Sequence, residues 1–175
     1  MLKRSTLDKY SISEEYINLS EAIEKKSVAD INKPFHIFIC HTSKDKDEIR
    51  KLKAYFKNVE KKDAYVDWID DPELDRSNIN EKTATRLQLR MQHSDKLYFV
   101  ISKNSADSKW MPWELGYFNG RKGIQNIVIY PIYDVKEEEI FDFVGQEYLK
   151  IYKLYKHSEI CLKTMKLKYL LDKIQ

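Results

Sequence analysis

The chain predicts a doubly wound α/β domain on a parallel sheet. Short apolar runs of strand length recur along it, at Phe35–Cys40, Leu97–Ile101 and Ile127–Tyr133. The stretches between them carry apolar residues at helical spacing. Strands alternating with helices imply parallel pairing with both sheet faces covered. Right-handed crossovers then wind the chain to both sides. With 175 residues, 42% of them hydrophobic, one domain with a proper core is expected.

Residues 1–33 are polar, and Tyr16, Leu19 and Ile23 predict a packed helix after a frayed start. The domain core is expected over 34–135. Its first strand is Phe35–Cys40. An amphipathic helix follows over Asp45–Lys61, with Ile49, Leu52, Phe56 and Val59 on one face and Thr42 or Ser43 as N-cap. Ala64–Trp68 reads as a second strand. Ile69–Asn80, rich in Asp, Asn, Pro and Ser, reads as a loop. Ile79, Thr83, Leu87 and Met91 mark a second helix, and Lys96–Ser102 a third strand. Trp110–Lys122 is a third helix stopped by Gly123, and Asn126–Tyr133 a fourth strand. Residues 136–175 complete the domain, with a fifth strand at Tyr148–Tyr152 and a closing amphipathic helix over Ile160–Ile174.

Composition excludes several classes. The net charge of +3 is too small for a general polyanion binder, so no nucleic-acid partner is expected. The basic excess is local, with seven lysines from Lys150 onward against Glu159 and Asp172. It reads as a solvated helix face or a surface for an acidic partner. Cys40 and Cys161 lie far apart and form no motif, which suits a reduced, cytoplasmic protein. The first ten residues lack the apolar stretch of a signal peptide. No apolar run approaches the ~18 residues of a membrane span. No GxGxxG, P-loop or GxSxG motif occurs. His36, Cys40 and His41 are followed by no second ligand pair, so no metal is expected.

Ligands of doubly wound sheets bind outside the carboxyl ends of the strands. Cys40–Lys44, Trp68–Asp71 and Ser102–Glu114 all fall at that edge, and the polar and aromatic residues cluster there. The segment Ser105–Gly120 is the densest, with two of the three tryptophans. Glu114 follows Trp110 by four residues, which places both on one helix face. Pro112 marks the helix start and puts Glu114 in or near its first turn. Such a glutamate is either a dipole partner or a catalytic carboxylate. His41, Thr42 and Ser43 either cap the following helix or hold a phosphate or ribose. Asp67 and Trp68 end the second strand, where Trp68 can stack on a flat ring. Trp113 is expected to pack inward and Trp110 to border the site. Cys40 reads as a small buried hydrophobe. Gly116 and Gly120 read as points of close approach between helix and sheet.

These residues resemble a Toll/interleukin-receptor (TIR) domain of the bacterial kind. The matching segments are Phe38-Ile-Cys-His-Thr-Ser-Lys-Asp45, Val66-Asp-Trp68 and Ser105–Gly120 with its Trp110…Glu114 pair. The likeness covers residues 34–135 and implies a flavodoxin-like fold with extra terminal helices. Asp71-Pro-Glu-Leu-Asp-Arg76 departs from the animal-receptor loop and favours the enzymatic branch. That branch cleaves NAD between nicotinamide and ribose, releasing ADP-ribose or a cyclic signal. Thoeris anti-phage systems use such enzymes, with a separate effector responding to the signal.

NAD is then a substrate, and no cofactor is needed. The nicotinamide is already cationic and leaves neutral, so one carboxylate suffices, and Glu114 would stabilise the oxocarbenium-like sugar. His41, Thr42, Ser43, Asp67, Trp68 and Trp110 would surround the substrate. Self-association is also expected, through the acidic loop with Asp70, Asp71, Glu73 and Asp75 against the basic C-terminal segment. Two other readings stay open at this level. One is a non-catalytic TIR module. The other is an enzyme like the nucleoside deoxyribosyltransferases, which also place a catalytic glutamate in a small doubly wound fold.

Overall fold

The computed structural model describes residues 2–3, 31–74, 76–77, 80–133, 143 and 145–155. The expected helices around Tyr16–Ile23 and over Ile160–Ile174, together with Asp75, Ile79, His157 and Cys161, lie outside these residues. The described strands are β1 (Leu2–Lys3), β2 (Phe35–Cys40), β3 (Ala64–Tyr65), β4 (Ser94–Ile101), β5 (Ile127–Tyr133) and β6 (Lys153–Leu154). The helices are α1 (Lys46–Tyr55), α2 (Asp67–Asp70), α3 (Glu81–Gln92) and α4 (Trp110–Lys122). All the pairings are parallel, in the order β3-β2-β4-β5. The outer edge of β5 is shared, with β6 beside Val128 and Ile129 and β1 beside Ile132 and Tyr133. The extension expected to be helical therefore contributes a strand at its start.

Alternation along the strands builds two cores. Ile37, Ile39, Tyr98, Val100, Val128 and Tyr130 pack on one face against Ile49, Leu52 and Phe56 from α1 and its continuation. Phe38, Cys40, Leu97, Phe99, Ile127 and Ile129 pack on the other against Leu87 and Met91 of α3 and Met111, Leu115 and Phe118 of α4. Helices on both faces of a parallel sheet make the domain doubly wound, as predicted. The chain leaves β2 for β3 on one side and then crosses to β4 on the other. The winding reverses between β2 and β4, and at such a point ligands of doubly wound sheets bind in the crevice outside the carboxyl ends of the strands.

Four local expectations change. The helix after β2 does not run evenly to Lys61. After Tyr55 it widens into a π turn over Phe56–Glu60 and stops at Lys61, whose φ of 56° is left-handed. The wider turn breaks the 3.6-residue period and leaves Val59 39% exposed. The second strand is two residues long, and Trp68 lies on α2 instead. The Asp70 carboxylate accepts from the Val66 amide at 2.6 Å and from Lys53 Nζ at 2.7 Å, which curls the chain out of the sheet. Tyr148–Tyr152 is largely a 3-10 turn, Glu147–Ile151, which buries Leu149 and exposes Tyr148 and Ile151. Finally, Gly116 and Gly120 do not face the sheet. A Cβ at either would meet nothing within 4 Å.

Asp70 and Asp71 are fully buried and not part of an acidic surface. Asp70 pairs with Lys53, whose side chain is also buried. Asp71 takes two hydrogen bonds from the buried Arg90, at 2.8 and 2.9 Å, and one each from Tyr65 Oη and Arg86 Nη1. Burial pushes the Asp71 carboxyl up, but Arg90, Tyr65 and Arg86 outweigh it and hold it below the ordinary carboxylate value. No described helix is long and apolar enough to cross a membrane.

A carboxyl depressed in the folded state stabilises the fold fully above its ordinary value, and that contribution is lost as pH falls through the folded value. Asp71→Asn is therefore expected to cost about 3 kcal/mol at neutral pH, because Arg90 loses its buried partner. In urea titrations the gap between the two proteins should narrow as the pH falls into the acid limb. Gly123 has φ 79°, and a Cβ there would lie 2.5 Å from Gln125 Oε1. Gly123→Ala should destabilise by about 1 kcal/mol, whereas Gly120→Ala, within α4, should stabilise by about 0.5–1 kcal/mol. Equal effects would contradict the placement of the two glycines.

Candidate active site

The crevice is lined by the segments that leave β2, β3 and β4, and buried polar contacts tie them together. Asp45, after β2, accepts from Ser102 Oγ at 2.5 Å and from Asn104 Nδ2 at 2.6 Å, both after β4. Thr42 Oγ1 accepts from the Lys44 amide at 3.4 Å and caps the 3-10 turn Ser43–Asp45. Ser43 itself is exposed at the rim. An exposed pair, Lys44–Asp107 at 2.6 Å, joins the same two segments on the outside, where solvent weakens it.

Helix α4 carries Glu114 into the crevice. Its buried residues are Met111, Glu114, Leu115 and Phe118, a single helical stripe. Glu114 thus occupies a core position between apolar neighbours and is 0% exposed. It is the fifth residue of α4, just past the first turn and near the helix start that Pro112 marks. Trp113 is only partly buried. It packs against the core on the α4 side of the sheet, meets Trp110 edge-on at 5.4 Å and stacks on Tyr117 at 6.0 Å. Trp110 is also partly buried.

Arg76 joins the predicted residues. Its guanidinium contacts Glu114 Oε1 through Nη2 and Asp67 Oδ2 through Nε, and Nη1 donates to the His41 carbonyl at 3.3 Å. Its own carbonyl accepts from Trp110 Nε1 at 2.9 Å. One side chain therefore touches the segments after β2, β3 and β4. Sequence reasoning passed over it. The only available signal was a single cation closing an otherwise acidic stretch, Asp70–Arg76.

His41 is also fully buried. Its Nδ1 lies 2.9 Å from the Ile39 carbonyl and its Nε2 3.1 Å from Trp68 Nε1. An indole only donates, so Nε2 must carry the lone pair and Nδ1 the proton. Burial lowers the imidazole pKa further than the nearby Asp67 raises it. His41 is thus a neutral bracket for Trp68 and Asp67. Trp68 is half-buried, with Lys46 Nζ 5.5 Å and the Arg50 guanidinium 5.2 Å from its ring.

Burial pushes the Glu114 carboxyl up to about 7, against the pull of Arg76. Two oxygens of the pair, Glu114 Oε2 and Asp67 Oδ1, are buried with no hydrogen-bond partner among the described residues. The thiol of Cys40, buried as expected, lies against Glu114 but is directed to the Met111 carbonyl at 3.6 Å. Among the described residues no cluster of His, Cys, Asp or Glu is arranged to hold a metal. Chemically, the site offers two carboxylates, indole faces and a water-poor floor. It suits a substrate that carries or develops positive charge.

Known proteins resemble this chain in sequence. The family described as Thoeris protein ThsB, TIR-like domain, matches residues 38–136. A Bacillus cereus (strain MSX-D12) protein named a probable 3′ cyclic ADP-D-ribose synthase, ThsB′, is 44% identical over 123 residues, 70% of this chain and 61% of that relative. A Cytobacillus dafuensis protein named as a candidate cyclic ADP-D-ribose synthase, TIR2, is 32% identical over 102 residues, 58% of this chain and 26% of that relative. The chain thus spans only part of the length of these curated relatives.

The tautomer of His41 gives a direct check of the site. Long-range nitrogen–proton NMR is expected to show a protonated Nδ1 and a bare Nε2, with titration only below the ordinary histidine range. A folded-state value lowered in this way makes stability fall as pH drops through that ordinary range. An Nε2-protonated ring would break the Trp68 contact and refute the assignment.

Proposed function

The chain belongs to the Thoeris ThsB TIR-like family, and on that premise we propose that it is an NAD-cleaving enzyme making a cyclic ADP-ribose-type signal. The observation that carries this reading is Glu114, a carboxylate set in the apolar stripe of a helix at the mouth of a doubly wound sheet. A buried carboxylate is costly to maintain, and a developing sugar cation is a partner that repays it.

In this reading the glycosidic C–N bond breaks and its electron pair passes to the pyridinium nitrogen, which leaves neutral. Positive charge moves to the ribose, where the Glu114 anion stabilises it. A hydroxyl within the ADP-ribose then closes the ring and loses a proton, giving the cyclic product. Attack by water instead gives linear ADP-ribose. The depth of Glu114 supports the first outcome, because excluding water favours the internal nucleophile. So do the names of the two relatives. Asp67, Trp68 and Trp110 would flank the sugar and the nicotinamide, and His41, Thr42 and Ser43 the phosphate side. The reading also includes anti-phage defence in the cytoplasm, assembly of several copies and a separate effector for the product. The resemblance to defence proteins supports these. The acidic loop does not support assembly, because Asp70 and Asp71 are neutralised inside the fold.

Three measurements test the reading. Glu114→Gln keeps volume and removes charge, so NAD turnover should fall at least about 100-fold. Turnover within tenfold of the parent would remove Glu114 from the chemistry, and a parent that consumes no NAD would leave a non-catalytic module. Because the anion is required and the carboxyl ionises at about 7, kcat/KM should climb over roughly pH 6–8 and level off above. A rate that declines over that range would reject the anionic role. Mass spectrometry of the product separates cyclic from linear.

A further inference from the structure

Glu114 is 0% exposed, so no substrate can touch it while its present neighbour remains in place. That neighbour is Arg76, which also contacts Asp67 and the His41 carbonyl. We infer that Glu114 and Asp67 form a subsite for a planar cation, that Arg76 fills this subsite in the resting chain, and that NAD competes with Arg76 for it. The inference rests on the function proposed above and names the state from which that function starts.

Three observations carry it. First, the guanidinium is planar and positive, as is the nicotinamide ring of NAD at the bond to be broken, and two carboxylates converge on it. Second, Glu114 Oε2 and Asp67 Oδ1 are buried and accept no hydrogen bond among the described residues. Arg76 therefore uses only half of the pair's acceptor capacity, and ribose hydroxyls can donate to the rest. Third, Arg76 comes from the connection between two helices rather than from a helix or a strand. That connection is pinned on one side by Asp71 against Arg90 and on the other by Asn80, which caps α3 by accepting from the Thr83 amide at 2.9 Å. Near Arg76 itself it is held by the Trp110–carbonyl bond. Withdrawing the side chain thus leaves both anchors in place.

Arg76→Met keeps the apolar stem and removes the cation, and Arg76→Lys keeps the charge but loses the planar fork. Isothermal titration with carba-NAD, which cannot be cleaved, should show at least tenfold tighter binding to Arg76→Met than to the parent, with Arg76→Lys between them. Methylguanidinium at millimolar concentration should bind Arg76→Met, shift the Trp110 indole N–H resonance and compete with carba-NAD, while leaving the parent unaffected. Equal or weaker carba-NAD binding by both variants overturns the proposal. So does restoration of turnover in Arg76→Met by methylguanidinium, which would make Arg76 a working part of the site. If Arg76→Met does not fold, Arg76→Lys decides alone, by binding carba-NAD more tightly than the parent or not. If no protein binds carba-NAD or consumes NAD, the proposed function fails. The subsite then stands or falls on whether methylguanidinium binds Arg76→Met directly.

Discussion

A carboxylate in the inward stripe of a helix must be neutralised, and much of the site's architecture follows from that constraint. Met111, Leu115 and Phe118 fasten α4 to the sheet, and Glu114 lies in their midst, closed off from bulk solvent. Desolvation of such a group costs several kcal/mol even after relaxation. Burial accordingly raises its pKa to about 7. Arg76 supplies the compensating charge, and in doing so ties together the segments after β2, β3 and β4.

The same logic recurs around the crevice at smaller scale. Lys53 neutralises Asp70 and so fixes the turn that presents Asp67 and Trp68. Arg90 neutralises Asp71 and fixes the start of the stretch that carries Arg76. Asp45 binds Ser102 and Asn104 across the crevice. These contacts hold positions rather than perform chemistry. Buried ion pairs contribute little net stability, yet breaking one is expensive, so each specifies a geometry. These pairs fix the relative positions of the segments around the site, and in the proposed cycle the Arg76 side chain is the contact that gives way.

The proposed displacement of Arg76 gives the site two states with different electrostatics. With Arg76 in place, the two carboxylates are compensated and the floor is dry. With NAD in place, as proposed, the same carboxylates would face a charge that moves from the pyridinium ring to the sugar as the bond breaks. Electrostatic stabilisation of that shift requires no reorganisation of the scaffold, since α4 and the loops around it are already locked.

Much of this was legible in the chain itself. Strand and helix positions follow from local apolar periodicity, so β2, β4, β5 and α4 fall close to where the pattern puts them. The carboxyl-end rule pointed to the segments after β2, β3 and β4, which the structure brings together around Arg76. Periodicity fails where a side chain overrides the backbone. Asp70 ends β3 after two residues, and a wide turn after Tyr55 rotates Val59 outward. It also cannot assign partners. Arg76 and Glu114 are 38 residues apart, Asp45 and Ser102 57, and Lys53 and Asp70 17. A run such as Asp70-Asp71-Pro-Glu-Leu-Asp-Arg76 reads as solvated because nothing local indicates Lys53 or Arg90 beneath it. Charge type and helical face are properties of a short window of sequence. Which cation meets which carboxylate is decided only when the crossover connections bring distant segments to the same sheet edge.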